Sequence, residues 1–549
     1  MKWHALLALS AVGVLGTVGH GPAQGQSSTP SKSAPAFSPV GYDRLVNADS
    51  EPGNWLMYSG QYNGQRYSRL DQVHRQNAAR LRLKWVYQLR TLDRAETTPL
   101  VVDGIMYVTE SPSTVIALDA RTGRQFWRYE HEVPDGVPYC CGRNNRGVAI
   151  LGDRLFMSTL DAHLVALDAK TGNVIWNIEV IDHAAGYSKT AAPLVVKNLV
   201  VTGIAGGDYG IRGFIDAYDA ETGDRVWRFY TIPAAGEPGN DTWEGDSWKT
   251  GGAATWVTGS FDPELNLVYW GTGNPGPDFN GEDREGDNLY SNCVLALDAD
   301  TGELKWYFQF TPHDVWDWDA AQIPVLADMV FDGQQRKLML WANRNAFFYV
   351  LDRVTGEFLL ARSFAKQTWA ERIDANGRPI FRPDIMPSAE GTLVAPPVED
   401  AANWWSTSYS PNTGLLYLMT HDAEELFFVR DDEYVAGELY EGGSWQAIQP
   451  FDKYVAAVRA IVPQTGELKW EYRVQPRGRT GLLSTAGDLV FGGTVDGYFF
   501  ALDAGTGEDL WHMAIGGRVQ AAPITYLADG DQYVTIAAGN DIFTFGLEP

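Results

Sequence analysis

The chain is expected to be all-β, an eight-bladed β-propeller with tryptophan-docking repeats, on three observations: one short segment recurs eight times, strand-like runs lie between the copies, and the composition is rich in aromatics and glycine. The clearest copies are Ala-Leu-Asp-Ala-Arg-Thr-Gly-Arg-Gln-Phe-Trp, ending at Trp127, and Ala-Leu-Asp-Ala-Lys-Thr-Gly-Asn-Val-Ile-Trp, ending at Trp176. Others end at Trp227, Trp306, Trp470 and Trp511; a weaker copy has Leu360 in place of the indole, and a degenerate one, Leu-Arg-Leu-Lys-Trp, ends at Trp85. Each copy reads as a hairpin, two strands around an Asp-x-x-Thr-Gly turn in which glycine takes the positive φ. The runs Pro99–Val108, Pro193–Thr202 and Leu489–Gly493 supply further strands, giving four per repeat, with each tryptophan wedged against the neighbouring blade. Twenty Trp, 25 Tyr, 23 Phe and 57 Gly suit many short strands joined by tight turns. The copies are unevenly spaced: Trp227 to Trp306 and Leu360 to Trp470 hold more sequence than a blade needs. Insertions in a propeller gather over one face, commonly the binding face.

The ends and the charge bound the function. Lys2 precedes an apolar run from Ala5 to Val18, followed by small residues at Gly21 and Ala23, so residues 1–25 read as a secretory signal peptide and residues 26–45 as a flexible Ser/Pro/Ala-rich leader. The propeller is expected over residues 46–549. No later run is long enough to span a bilayer, and the expected location is the periplasm. With 43 Lys+Arg against 69 Asp+Glu, the net charge of −26 disfavours nucleic acid and anionic lipid as partners and favours a basic protein. A homodimer is a candidate assembly.

Three stretches carry chemistry. Cys140 and Cys141 are adjacent; consecutive Cα atoms are ~3.8 Å apart, below the usual disulfide range, so a bond between them would be strained. Cys293, in Cys-Val-Leu-Ala-Leu, reads as a buried strand residue. Thr311–Asp319, Thr-Pro-His-Asp-Val-Trp-Asp-Trp-Asp, sets Asp314, Asp317 and Asp319 among two indoles. In an extended segment Asp317 and Asp319 would face one point, which calls for a proton or a cation between them. Gly271-Thr-Gly-Asn-Pro-Gly-Pro277 contains G-x-G-x-x-G, but Pro275 and Pro277 forbid the helix that a dinucleotide fingerprint opens. Asn274 on that rigid turn is instead a neutral oxygen donor suited to a hard cation.

With these motifs, and with Trp-Lys-Thr-Gly-Gly beside Trp248, the chain from about Trp55 nearly to its end resembles the soluble quinoprotein alcohol dehydrogenases of the methanol and ethanol dehydrogenase family. The resemblance implies pyrroloquinoline quinone (PQQ) as cofactor, with a Cys140–Cys141 ring over one face and Trp256 on the other. It implies contacts to the cofactor from Glu96, Arg146, Thr190, the Ala205–Gly206–Gly207 backbone, Arg344, Asn403 and Trp404. A metal ion would be held by Asp208, Asn274 and Asp317, with Asp317 also the general base. Asp208 stands where the family usually has Glu. The acid at Asp319 resembles the lanthanide-dependent branch, so a lanthanide ion is expected, with calcium as the alternative. The run Arg-Gly-Arg-Thr-Gly-Leu-Leu around Arg479, where the family often has Trp, and the closing Ala-Gly-Asn-Asp-Ile-Phe-Thr-Phe-Gly-Leu-Glu-Pro imply an altered substrate pocket and argue against methanol. The expected reaction is oxidation of an alcohol to an aldehyde or ketone. No Cys-x-x-Cys-His haem motif is present, so electrons are expected to pass to a soluble cytochrome c. Two other readings are a calcium enzyme for a bulky secondary alcohol, sugar or polymer, and a non-catalytic propeller scaffold, which would need neither the cysteine pair nor the acidic loop.

Overall fold

A computed structural model describes residues 37–399, 401–450, 453–475 and 478–548. The expected signal peptide and residues 26–36 of the leader lie outside them. Residues 37–45 do not behave as a free leader: Val40 pairs through its backbone with Gly152, and Leu45, in a short helix Tyr42–Val46, is buried.

Among the described residues the chain is all-β apart from short helical turns, and eight antiparallel sheets of four strands dominate it. One of them gains a fifth strand, Tyr67–Ser68, paired in parallel with Ser484–Thr485. The four strands of each sheet are consecutive in sequence, with two exceptions: strands Glu425–Val429 and Gly443–Ala447 of another sheet intervene between Leu415–Asp422 and Val455–Val462, and the chain ends share a sheet. Strand Leu81–Gln88 completes the sheet of the last three strands, Ile524–Ala528, Asp531–Ala538 and Asp541–Leu547, so the two ends of the described chain meet in one sheet. The long interval after Leu360 holds a two-stranded and a three-stranded sheet, the latter formed by Thr392–Val394, Glu425–Val429 and Gly443–Ala447.

Each of the eight copies ends in the fourth strand of one sheet, and the local chemistry explains the hairpin. In the third-to-fourth turn the Asp carboxylate caps two backbone amides: Asp168 Oδ1 accepts from the N–H of Lys170 at 3.1 Å and of Thr171 at 2.8 Å, and Asp119, Asp219, Asp298, Asp352 and Asp503 repeat the arrangement. One extra residue then bulges just before the aromatic position in all eight sheets. A bulge re-aims the following side chain.

That side chain lands on the next sheet's turn. A Cβ on Gly172, which sits at φ +74°, would stand 2.5 Å from the Trp127 ring, and Gly123, Gly223, Gly302, Gly356 and Gly507 meet Trp85, Trp176, Trp227, Trp306 and Trp470 in the same way. The indole N–H of Trp127, Trp176, Trp227 and Trp470 also donates to the carbonyl of the Ala after the next turn's Asp, at 3.2, 3.4, 3.1 and 3.1 Å. Where the copy lacks its indole, at Leu360, the stem of Arg362 covers Gly466 instead. Cys293 is buried within its strand, as its neighbours imply, with its Sγ 3.1 Å from the Ser291 carbonyl oxygen.

Gly172→Ala is expected to destabilise the protein by about 2 kcal/mol or more, because the added methyl meets both a forbidden φ and an indole. Trp227→Ala should cost about 3–5 kcal/mol through the cavity it leaves. The check is the denaturant midpoint; a wild-type midpoint for Gly172→Ala would rule out the docking contact as a source of stability.

Candidate active site

Because the strands of each sheet run up and down in order, the connections divide between two ends. The Asp-x-x-Thr-Gly turns occupy one end. At the other, second strands run on to third strands and each sheet runs on to the next. Every sequence-predicted site residue comes from this second set. Ala205–Asp208 follow strand Leu199–Gly203, Asn274 follows Leu267–Gly271, and Arg344 follows Gln334–Ala342. Glu96, Cys140, Arg146, Thr190, Trp256, Asp317, Asp319, Asn403 and Trp404 lie on the segments that lead into new sheets. All of them, Cys141 included, line one cavity of about 450 Å³.

One part of the cavity is aromatic and cationic. Cys140 and Cys141 are bonded to each other, and the Arg94 guanidinium donates to the Cys141 carbonyl. Arg146 lies 5.1 Å from the centre of the Trp256 ring and 4.4 Å from that of Trp404, pairs with Glu96 at 2.8 Å and donates to Thr190 Oγ1 at 2.8 Å. Gly206, at φ +114°, brings its backbone so close to Gly186 that a Cβ would stand 2.1 Å from that carbonyl oxygen. The Asn403 amide is used within its own turn, donating to the Glu399 carbonyl at 3.0 Å and accepting from Trp404 N–H at 2.7 Å. Arg479 ion-pairs with Glu399, and the buried Gln520 Oε1 has no partner among the described residues.

Another part is acidic. Thr311–Asp319 is not the extended segment that the i, i+2 argument assumed. Asp314 folds it into a loop by accepting from Trp316 N–H at 2.9 Å, Trp318 N–H at 2.7 Å and Asn292 Nδ2 at 2.7 Å, and Asp317 sits at φ +57°. The two indoles stack in the core with their centres 4.7 Å apart. Asp317 and Asp319 still face one point, and the cation between them is Arg344: Nη1 to Asp319 at 2.7 Å and Nη2 to Asp317 at 3.4 Å. Asp319 also accepts from the Asn274 N–H at 2.9 Å. Asn274 Nδ2 donates to Asp278 at 2.7 Å, which leaves its carbonyl oxygen as the free end.

The expected metal ligands thus share a cavity without sharing a coordination point. The Asp208 carboxylate stands within 4.8 Å of the Cys140 and Cys141 sulfurs, and among the described residues no three carboxylates gather that closely. Burial pushes Asp208 up to about 6 and Asp317 and Asp278 well above the usual carboxylate range, and it raises Asp319; Arg344 draws Asp317 and Asp319 back down.

Against this geometry, the family model of the PQQ glucose/ethanol/alcohol dehydrogenase β-propeller domain matches residues 55–363 and 464–534. The chain belongs to the PQQ-dependent alcohol dehydrogenases. It is 40% identical over 532 residues to quinoprotein alcohol dehydrogenase PedH of Pseudomonas putida, covering 92% of this chain and 89% of the relative. It is 41% identical over 509 residues to quinohemoprotein alcohol dehydrogenase ADH IIB of Pseudomonas putida, covering 89% and 73%. Among solved structures, a europium-containing methanol dehydrogenase superposes with a TM-score of 0.87 at 33% identity, over 92% of this chain and all of that one.

The dehydrogenase's cavity fits both groups its family uses. Four guanidiniums, from Arg94, Arg146, Arg344 and Arg479, beside two indoles and a disulfide suit a flat, polycarboxylated quinone, and the unpartnered Gln520 oxygen is an acceptor it can use. The carboxylates and the Asn274 carbonyl are the oxygen donors of a hard cation. Sequence reasoning missed Arg94, Asp278, Glu399, Glu441 and Gln520, and it noted Arg479 without giving it a role. Asp278 was within reach, four residues after Asn274 on the same rigid turn. Glu441 lies deep in the longest insertion, where nothing local marks it.

No helix among the described residues is long and apolar enough to cross a membrane. Lys189, between the cavity-lining Ser188 and Thr190, points the other way: it is buried, donates to the Gly203 carbonyl at 2.6 Å and is lowered by burial from 10.5 to about 7. The unfolded chain therefore holds the extra proton between those values, and this group makes stability rise with pH from about 7 to about 10. Lys189→Met should flatten that rise in denaturant unfolding measured at about pH 7 and about pH 10. An identical pH slope in wild type and variant would overturn the assignment.

Proposed function

We propose that the eight sheets are the eight blades of a propeller and that the chain is a periplasmic, lanthanide-dependent alcohol dehydrogenase with Asp317 as general base. The observation that carries the metal reading is the placing of Asp317 and Asp319 on a single guanidinium, in a cavity that also holds Asp208, Asp278 and Glu441. So many acids gathered in one cavity favour an ion of high charge.

The disulfide ring and Trp256 would enclose the quinone, and Glu96, Arg146, Thr190, the Ala205–Gly207 backbone, Arg344, Asn403 and Trp404 would hold its edges. Asp208, Asn274, Asp317 and Asp319 would hold the ion. When bound, the quinone would supply a hydride acceptor and the ion a Lewis acid. Asp317 takes the hydroxyl proton. Burial favours the neutral form of that carboxylate, and Arg344 opposes it by drawing Asp317 towards its ionised form. Phe279, Val398, Trp405 and Trp445 add an apolar wall, which excludes water and supports a substrate with a carbon chain larger than methanol's. The electron acceptor would be a soluble cytochrome c, whose basic surface complements the chain's charge of −26.

Asp317→Asn is expected to lower dye-linked alcohol oxidation by about 100- to 10,000-fold with an unchanged fold. In apo-protein supplied with PQQ, lanthanum should restore activity and calcium should not, and Asp319→Ala should remove the lanthanum-supported rate. Activity with calcium alone would keep the enzyme and replace the metal; full activity in Asp317→Asn would remove the base.

A further inference from the structure

The metal site has a weak point: Asp208 is one methylene shorter than Glu, and its carboxylate stands within 4.8 Å of the disulfide sulfurs, while no three carboxylates of the described residues gather that closely. A second acid lies beside it. Glu441 belongs to the long connection between strands Leu415–Asp422 and Val455–Val462, outside the repeat pattern, and it lines the same cavity as Asp208, Asn274 and Asp278.

Two backbone hydrogen bonds fix it there. The N–H of Tyr440 donates to the Asp208 carbonyl at 2.7 Å, and the carbonyl of Glu441 accepts from the N–H of Phe279 at 2.8 Å. The residue is thus clasped between the loop that carries Asp208 and the turn that carries Asn274. Gly442 and Gly443 complete the clasp. A Cβ on Gly442 would stand 2.9 Å from the Pro277 side chain, and one on Gly443 would stand 2.6 Å from that of Phe279. Side chains there would push Glu441 away from the turn. Glu441 is half-buried, and among the described residues its carboxylate receives no hydrogen bond, so its oxygens remain available to a cation.

We propose that Glu441 is a further carboxylate donor to the metal ion, compensating for the short arm of Asp208. This rests on the metal reading given above. Glu441 turns the insertion into part of the site: a loop reaching over from another sheet closes the coordination sphere at the position where Asp208 falls short. The two acids are then partly interchangeable, because either a long arm at position 208 or Glu441 can supply the missing oxygen.

The test is direct metal binding by the full-length, metal-free protein with PQQ present: calorimetric titration with lanthanum chloride and with calcium chloride, alongside terbium luminescence. Glu441→Gln, which keeps shape and removes charge, is expected to weaken lanthanum binding at least tenfold. Asp208→Glu added to Glu441→Gln should restore most of the loss, a rescue that a merely structural role would not produce. Wild-type lanthanum affinity in Glu441→Gln overturns the inference and leaves the metal site intact. Weakened binding with no rescue by Asp208→Glu also overturns it, because the compensation is then wrong. A wild-type protein that binds neither metal overturns the underlying metal reading instead. Should Glu441→Gln fold poorly, Glu441→Asp tests the same point, since a shortened arm should weaken binding without removing the charge.

Discussion

An indole needs a flat, bare surface, and six of the eight sheets supply one to a neighbour at a glycine. Most of the structure depends on that contact. The glycine is required twice, once because the turn has positive φ and once because any side chain would strike the ring. The bulge before the aromatic turns it across to the next sheet, and the hydrogen bond from indole to alanine carbonyl fixes the register between the two. Hydrophobic packing alone would allow neighbouring sheets to slide. A contact that couples one ring to one turn does not.

Fixing sheet against sheet at one end also fixes where the connections emerge at the other. The second-to-third connections and the sheet-to-sheet segments are the irregular ones, and they bring Ala205–Asp208, Asn274, Arg344 and Asp317 to one cavity from separate sheets. The division of labour follows from the hairpin. Turns with a set Asp-x-x-Thr-Gly chemistry cannot vary without losing the dock, whereas the opposite connections are free to lengthen and carry function. Both long insertions fall in that second class, and the larger one contributes Glu441, Ser444 and Trp445 to the cavity wall.

This explains what could be read from the chain alone. The repeat was legible because its residues obey local rules that recur eight times, and the copy lacking its indole at Leu360 was still recognisable by its turn. The cavity residues were legible only where motifs are specific, as in the cysteine pair and the acidic loop. Their geometry was not. Asp317 and Asp319 were paired on the assumption of an extended segment, yet what unites them is Arg344, 25 residues after Asp319 and on another connection. Glu441 and Gln520 were invisible for the same reason: their meaning comes from the sheets that carry them, which no local pattern encodes.

The acidic part of the cavity is best understood as an electrostatic debt settled by position. Asp208, Asp278, Asp317 and Asp319 are all raised by burial, which favours the neutral form of each, and a positive charge nearby favours the ionised one. Arg344 serves two of them, Asp317 and Asp319. A planar guanidinium has a fixed fork, and Arg344 also donates to the Val398 carbonyl, so Asp208 and Asp278 do not share it as Asp317 and Asp319 do. A further cation is therefore what would let all four ionise together, and the greater its charge, the more of them it would hold in that form. If Asp317 is the proposed base, it needs neighbours neutralised by something other than protons. The metal and the base are then one electrostatic problem, and Arg344, tied to both carboxylates, is where the two meet.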